Sequence, residues 1–161
     1  MPMIHSKLWS AGTDLFGRVH WQLYLTLTFD PEKLRRRRGR HQFEKEWLAL
    51  RLLINTLNLK LFKRQAVKRK YQGLVWFAFI EPHKLAGYHF HVLVAGIPQD
   101  GLGWTMSFIQ SWWRRRMGDP DVQIVDHQRA CVAYCCKSID SGNEWEVSDS
   151  FMRVASLPLA A

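Results

Sequence analysis

The chain has 161 residues, and its composition (47% hydrophobic, 13% aromatic, eight Trp) excludes an intrinsically disordered chain. This length favours one domain, and we expect residues 1–161 to form it with a core over about residues 20–140. Lys and Arg total 23 against 14 Asp and Glu, and the formal net charge of +9 favours a polyanionic partner.

Cysteine content and apolar runs bear on the compartment. Three cysteines, two of them adjacent (Cys135 and Cys136), do not make a disulfide framework, which predicts a reducing compartment. The stretch MPMIHSKLWSAG lacks the apolar core of a signal peptide, and the longest apolar run, GLVWFAFI, is too short to cross a bilayer. We therefore expect an intracellular protein without a membrane partner.

The first third of the chain predicts a strand and a long helix. HWQLYLTLTFD (residues 20–30) is rich in β-branched and aromatic residues and ends at an Asp-Pro pair, which is typical of a strand with a stop. The charged segment PEKLRRRRGRH that follows is predicted to be a loop. An amphipathic helix is then predicted from apolar residues spaced four and three apart: Phe43, Trp47, Leu50, Ile54, Leu57 and Leu61.

The rest of the chain predicts a hairpin, two helices and a short strand. GLVWFAFIE and YHFHVLVAG flank the connection PHKLAG and read as two paired strands. WTMSFIQSWWRRRM is predicted to be a helix that stops at Gly118 and Pro120, with its tryptophans in the core and its arginines solvated. VQIV follows as a strand, and Asp126 is predicted to cap a last helix through HQRACVAYCCKSI. After Asp140 an irregular chain is expected.

This order, β-α-β-β-α-β plus a terminal helix, predicts the α+β fold class with a ferredoxin-like antiparallel sheet. Two helices are expected on one face of the sheet. The opposite face is expected to stay open. The extra C-terminal helix carries Tyr134.

A pair of histidines marks the third strand. Because side chains alternate across a strand, His89 and His91 share a face and can converge on one metal ion. If the hairpin connection is centred near Leu85, Glu81 lies opposite His89 and completes a site of two imidazoles and a carboxylate. His83 replaces Glu81 if the register differs. The alternative is a half-exposed histidine pair in ordinary hydrogen bonds.

The last helix presents one tyrosine away from its apolar side. Projected on a helix, Val132, Cys135, Cys136 and Ile139 share one side, which should face the core. Tyr134 and Lys137 lie on the other side. Tyr134 is therefore predicted to be available for chemistry, and the alternative is a plain exposed tyrosine.

Three segments, in this order, resemble the motifs of the HUH endonucleases. They are the hydrophobic strand LTLTFD, the strand HFHVLV with a His-hydrophobic-His pattern, and the helix with YCCK, a Tyr-x-x-Lys pattern. They span residues 25–137, and the resemblance is closest to single-tyrosine initiator proteins of rolling-circle replication. That family is built on a ferredoxin-like sheet, in agreement with the predicted strand order.

The resemblance implies roles for five residues. His89, His91 and Glu81 would be metal ligands, Tyr134 the nucleophile and Lys137 its accompanying lysine. The implied enzyme nicks single-stranded DNA at an origin hairpin with Mn²⁺ or Mg²⁺, forms a 5′-phosphotyrosine link and a free 3′-OH, and later rejoins strands. The chain contains no Walker-type GxxxxGK[ST] motif, so either a host or separate helicase is the expected partner or the chain is part of a longer protein.

Two basic segments fit contacts with the DNA backbone, although such runs are also typical of solvated loops and nuclear-import signals. They are RRRRGR (residues 35–40) and KRQAVKRK (residues 63–70), and the residues expected to contact DNA are Arg35, Arg36, Arg37, Arg38, Arg40, Lys68, Arg69 and Lys70. The expected compartment is the cytoplasm for a bacterial, phage or plasmid protein, or the host nucleus for a eukaryotic virus.

The sequence is also compatible with two other functions. A single-tyrosine HUH transposase of a small insertion sequence shares the motif order, although the Tyr-x-x-Lys pattern fits the initiators better. A non-catalytic ferredoxin-like module that binds RNA through stacked aromatics would need exposed aromatics on the open sheet face.

Overall fold

A computed structural model describes residues 14–36, 43–67, 73–83 and 87–155. The strands are β1 (Leu23–Thr28), β2 (Val75–Pro82), β3 (Tyr88–Ala95), β4 (Pro120–Ile124) and β5 (Trp145–Val147). The α-helices are α1 (Pro31–Arg35), α2 (Glu44–Val67), α3 (Leu102–Arg116), α4 (Gln128–Asp140) and α5 (Asp149–Ala155). A helical turn at residues 14–17 precedes β1, and a 3₁₀ turn, Gln99–Gly101, precedes α3.

The five strands form one antiparallel sheet in the order β4-β1-β3-β2-β5. The first four strands have the connectivity and order of the ferredoxin-like arrangement, so the predicted α+β class is confirmed. β5 adds a strand to the free edge of β2. No helix among the described residues combines the length and apolarity that a membrane span requires.

The sheet face turned toward α2 and α3 carries the larger core. In β1, Leu23, Leu25 and Leu27 are fully buried and the residues between them are only partly buried, as alternation requires. The apolar stripe of α2 packs on these strands, and Trp47, Leu50, Ile54 and Leu57 are buried. Trp112 and Trp113 of α3 are also buried, while the arginines after them are exposed, as the sequence predicted. The periodicity therefore identified the correct face of both helices.

The segment after β1 differs from the prediction of a loop. Pro31–Arg35 forms the short helix α1, because Asp30 caps it by accepting a hydrogen bond from the Glu32 backbone N–H at 2.9 Å. Proline at the first helical position needs no backbone hydrogen bond there. The same Asp-Pro pair that ends the strand thus begins a helix.

The other sheet face is covered, so the expectation of an open face was wrong. Phe77, Phe79 and Leu93 point to this face and are fully buried or nearly so. Val132 of α4 and Phe151 of α5 pack over them. Strand residues this apolar need a cover, and the segments on either side of β5 supply part of it.

The chain around α4 corrects two further expectations. Asp126 is not the cap, because the N-cap of α4 is His127, which makes no side-chain capping hydrogen bond. Instead, Gln128 fixes the first turn to the sheet, accepting from the Trp21 N–H at 2.9 Å and donating to the Trp21 carbonyl at 2.6 Å. Beyond Asp140 the chain is not irregular but forms β5 and α5.

Candidate metal centre and its tyrosine

The register between β2 and β3 brings the predicted ligands together. Glu81 is the direct cross-strand partner of His89, so the prediction from the hairpin centre is confirmed. His91 lies two residues further along the same face. His83 packs edge-on against His89, with 5.4 Å between ring centroids, and does not belong to the group of converging ligand atoms.

Glu81, His89 and His91 could hold a metal ion. Each offers one ligand atom, and these atoms lie within 4.8 Å of one another. The Nε2 atoms of His89 and His91 are 2.7 Å apart, and Glu81 Oε2 is 3.4 Å from His91 Nε2 and 3.9 Å from His89 Nε2. Two ligands at right angles around an ion with bonds of about 2.0–2.1 Å stand about 3 Å apart, so the donor set fits a small divalent ion.

Both imidazoles are held neutral by their surroundings. Burial lowers the pKa of His91 to about 4, with the neighbouring His89 acting in the same direction and Glu81 opposing it. Burial likewise lowers the pKa of His89. At neutral pH, Glu81 therefore faces two uncharged rings with nitrogen lone pairs, which is the protonation state that metal binding requires.

The Nδ1 atom of His91 is held by residues of β1. Tyr24 Oη is 2.6 Å from this atom and Thr26 Oγ1 is 3.4 Å from it. When Nε2 serves as a ligand, Nδ1 carries the proton and donates it to the Tyr24 oxygen, which fixes the ring orientation. His89 differs, since its Nδ1 is buried without a hydrogen-bond partner among the described residues.

Helix α4 places Tyr134 against this cluster. Its hydroxyl donates to Glu81 Oε2 at 3.2 Å, and its ring lies edge-on to His91 with 5.3 Å between centroids. The core-facing side of α4 is as predicted, because Val132 and Cys136 are buried while 39% of Tyr134 is exposed. The hydroxyl thus reaches the shared carboxylate while part of the side chain stays open to solvent.

Asn143 was not predicted to take part. It follows Gly142, whose positive φ of 77° turns the chain at the end of α4. Its Nδ2 donates to Glu81 Oε1 at 3.1 Å, so both carboxylate oxygens are hydrogen-bonded. Tyr24 and Thr26 were also missed, although their alternation with the buried leucines of β1 places them on the face opposite the larger core.

The structure does not place the predicted lysine or the described basic residues in contact with the metal cluster. Lys137 is exposed and lies one turn beyond Tyr134. Among the described residues, its ammonium forms no hydrogen bond or ion pair with Glu81, His89 or His91. Arg35 and Arg36 are exposed, and Arg35 pairs with Glu32 at 3.1 Å. The six remaining basic residues lie outside the described residues: Arg37, Arg38, Arg40, Lys68, Arg69 and Lys70.

Comparisons with known proteins give no relative: no family model, curated protein or solved structure matches the chain.

Proposed function

We propose that the protein is a metal-dependent nuclease and strand transferase of the HUH type that nicks single-stranded origin DNA and initiates rolling-circle replication. The observation that carries the proposal is the hydrogen bond from the Tyr134 hydroxyl to Glu81, the carboxylate that also faces both histidines. A nucleophile and a cation site that share one carboxylate can act on the same phosphate. The motif order in the sequence supports the same activity.

In the proposed reaction, the Tyr134 oxygen attacks a backbone phosphorus and the P–O3′ bond breaks. The phenolic proton passes to solvent, and O3′ departs as a hydroxyl with a proton from solvent or from the Lys137 ammonium. One phosphoester is exchanged for another, so the free 3′-OH can attack the phosphotyrosine in reverse and rejoin the strand without ATP.

Glu81, His89 and His91 would hold a divalent ion, and Mn²⁺ or Mg²⁺ is our proposal for its identity. A bound cation offsets negative charge that develops on the phosphate. This matters because free tyrosine has a pKa near 10, so about one molecule in a thousand is ionised at pH 7. Oxygen from phosphate and water suits both ions, and two imidazoles favour Mn²⁺.

The basic segments would bind the DNA backbone. The net charge of +9 supports a polyanionic partner. A separate or host helicase would supply unwound DNA.

The test is incubation of the full chain and Mn²⁺ with a labelled library of single strands, followed by a denaturing gel. We expect a covalent protein–DNA band that Tyr134→Phe reduces by at least about a hundredfold and that EDTA removes. Tyr88→Phe is the matched control, because Tyr88 packs against Phe43, 4.6 Å between centroids, away from the cluster. Full cleavage by Tyr134→Phe would show that another group is the nucleophile.

A second measurement separates metal binding from DNA binding. His91→Ala should reduce the covalent band far more than it reduces affinity for the same strands. Equal loss of both would assign His91 a role in folding or in DNA contact.

A further inference from the structure

Trp145 lies on the same sheet face as the metal cluster. It begins β5, and its cross-strand partner on β2 is Phe79. Directly paired residues of an antiparallel pair share a face. Phe79 in turn contacts the Tyr134 ring, with 5.8 Å between centroids, so the cross-strand partner of Trp145 is also a ring contact of Tyr134.

Trp145 is one of two exposed tryptophans among the described residues. Five others are buried: Trp21, Trp47, Trp76, Trp112 and Trp113. Trp104 is 45% exposed and Trp145 47%, and of these two it is Trp145 that pairs with Phe79, the buried contact of the 39% exposed Tyr134. A large exposed aromatic on the sheet face that carries the metal cluster is more informative than a scattered surface leucine. Trp145 and Tyr134 are thus two exposed aromatic side chains that are connected through Phe79.

The strand that carries Trp145 is held to β2 at both of its ends. The Ile80 N–H donates to the Glu144 carbonyl at 3.0 Å, and the Ser148 N–H donates to the Trp76 carbonyl at 2.9 Å. Glu146 forms an ion pair with Arg51 of α2. The indole also contacts Phe77, with 6.2 Å between centroids. An anchored aromatic loses little conformational entropy when it binds a ligand.

We infer that Trp145 is a base-stacking subsite for the single-stranded DNA, holding a nucleotide that flanks the scissile phosphate. This inference rests on the proposed function, because it takes the strand over Tyr134 to be the substrate. An uncharged indole does not attract phosphate, but its face stacks on any base. The basic chain attracts the backbone, and Trp145 positions a base so that the adjoining phosphate meets the tyrosine.

The experiment compares two strands that carry the same phosphates. One is oligo(dT), and the other is an abasic strand of equal length. Binding of the full chain is measured in EDTA, so that cleavage does not interfere. We expect Trp145→Ala to weaken binding of oligo(dT) by about fivefold to a hundredfold and to leave binding of the abasic strand unchanged. The salt dependence should stay that of the wild type, because phosphate contacts are retained.

Trp104→Ala is the matched control. Trp104 is 45% exposed and stacks on Phe108 of α3, away from the cluster. It should leave the affinity for both strands unchanged. The inference is overturned if Trp145→Ala affects both strands equally, or if the two tryptophan variants behave alike. Trp145→Phe should restore most of the binding, which distinguishes stacking from a folding defect.

Failure of this inference is separable from failure of the proposed function. If wild type forms the covalent band but Trp145→Ala binds oligo(dT) normally, the nuclease stands and the stacking subsite falls. If oligo(dT) binding depends on Trp145 but no band forms in Mn²⁺, the nuclease falls. In that second case Trp145 stacks bases without nicking, and the subsite as a part of catalysis is also overturned.

Discussion

His91 is the most buried residue of the candidate metal centre. It is only 7% exposed, and its two ring nitrogens face different partners, Nδ1 toward Tyr24 and Nε2 toward Glu81 and His89. Burial and the adjacent imidazole disfavour its charged form. The arrangement that prepares the ring for a cation therefore makes the metal-free protein sensitive to acid.

We expect metal-free protein to lose stability between pH 6.5 and about 4 through His91. Its folded pKa is about 4 against the ordinary 6.5, so in this interval the unfolded state binds more protons than the folded state. The free energy of unfolding therefore decreases as the pH is lowered from 6.5 to about 4. The full effect is at most about 3 kcal/mol. Urea unfolding of wild type and His91→Gln at several pH values measures it as the difference between the slopes.

His20→Gln is the control for this measurement, since His20 is exposed. It should keep the pH slope of the wild type. If His91→Gln also keeps that slope, the ring is not held neutral in the folded state.

Sequence reasoning brought the candidate ligands together but missed the residues that support them. Strand alternation and the hairpin centre suffice to pair Glu81 with His89, because both are local properties. The contacts of Tyr24 and Asn143 depend on how β1 and the turn after α4 pack on the hairpin, over 67 and 62 residues of sequence. No local pattern encodes such distances.

At the scale of elements, the end of α3 must approach the end of β1 closely. The Met117 carbonyl accepts from the Asp30 N–H at 2.7 Å, and the Asp119 carbonyl accepts from the Thr28 N–H at 2.9 Å. Between these bonds lies Gly118, where a Cβ atom would stand 2.2 Å from the Thr28 carbonyl oxygen. Only glycine allows the two backbones to meet at this distance.

We expect Gly118→Ala to destabilise the protein by about 3 kcal/mol or more, since the clash is with backbone atoms that cannot rotate away. Gly103→Ala, within α3, meets no atom within 4 Å and should be neutral or stabilising by about 0.5–1 kcal/mol. Chemical denaturation of both variants decides this. Equal effects would mean that the α3–β1 junction relaxes at little cost.

The two long helices and the strands β1 to β4 were predictable, and the short elements β5 and α5 were not. α2 and α3 repeat their apolar residues over several turns, so periodicity alone identified them. β5 has three residues and α5 has seven, too few for a period to stand out. Their structure comes from pairing with β2 and from Phe151, which is buried against the sheet. Tertiary contacts, rather than local periodicity, thus determine the secondary structure of residues 145–155.

At the scale of the whole molecule, the sheet has helices on both faces, and the metal cluster lies between the sheet and α4. The ligands come from β2 and β3, the His91 support from β1, and the Glu81 partners from α4 and the turn after it. Correct assembly of four parts of the chain is needed to bring these atoms together. An unfolded chain has no such site, so a cation that binds here stabilises the folded state as a whole.

We therefore expect Mn²⁺ to raise the melting temperature of metal-free protein. At a hundred times the dissociation constant the stabilisation is about 2.7 kcal/mol, which corresponds to a shift of about 5–10 °C for a domain of this size. Glu81→Gln removes the anionic ligand, keeps its shape, and should abolish most of the shift in a thermal melt. Glu32→Gln, at an exposed carboxylate that forms an ion pair with Arg35 on the same helix, should keep the full shift. If Mn²⁺ raises the melting temperature of Glu81→Gln as much as that of wild type, the cation binds elsewhere on the protein. In that case the hydrogen bond between Tyr134 and Glu81 does not belong to a metal site.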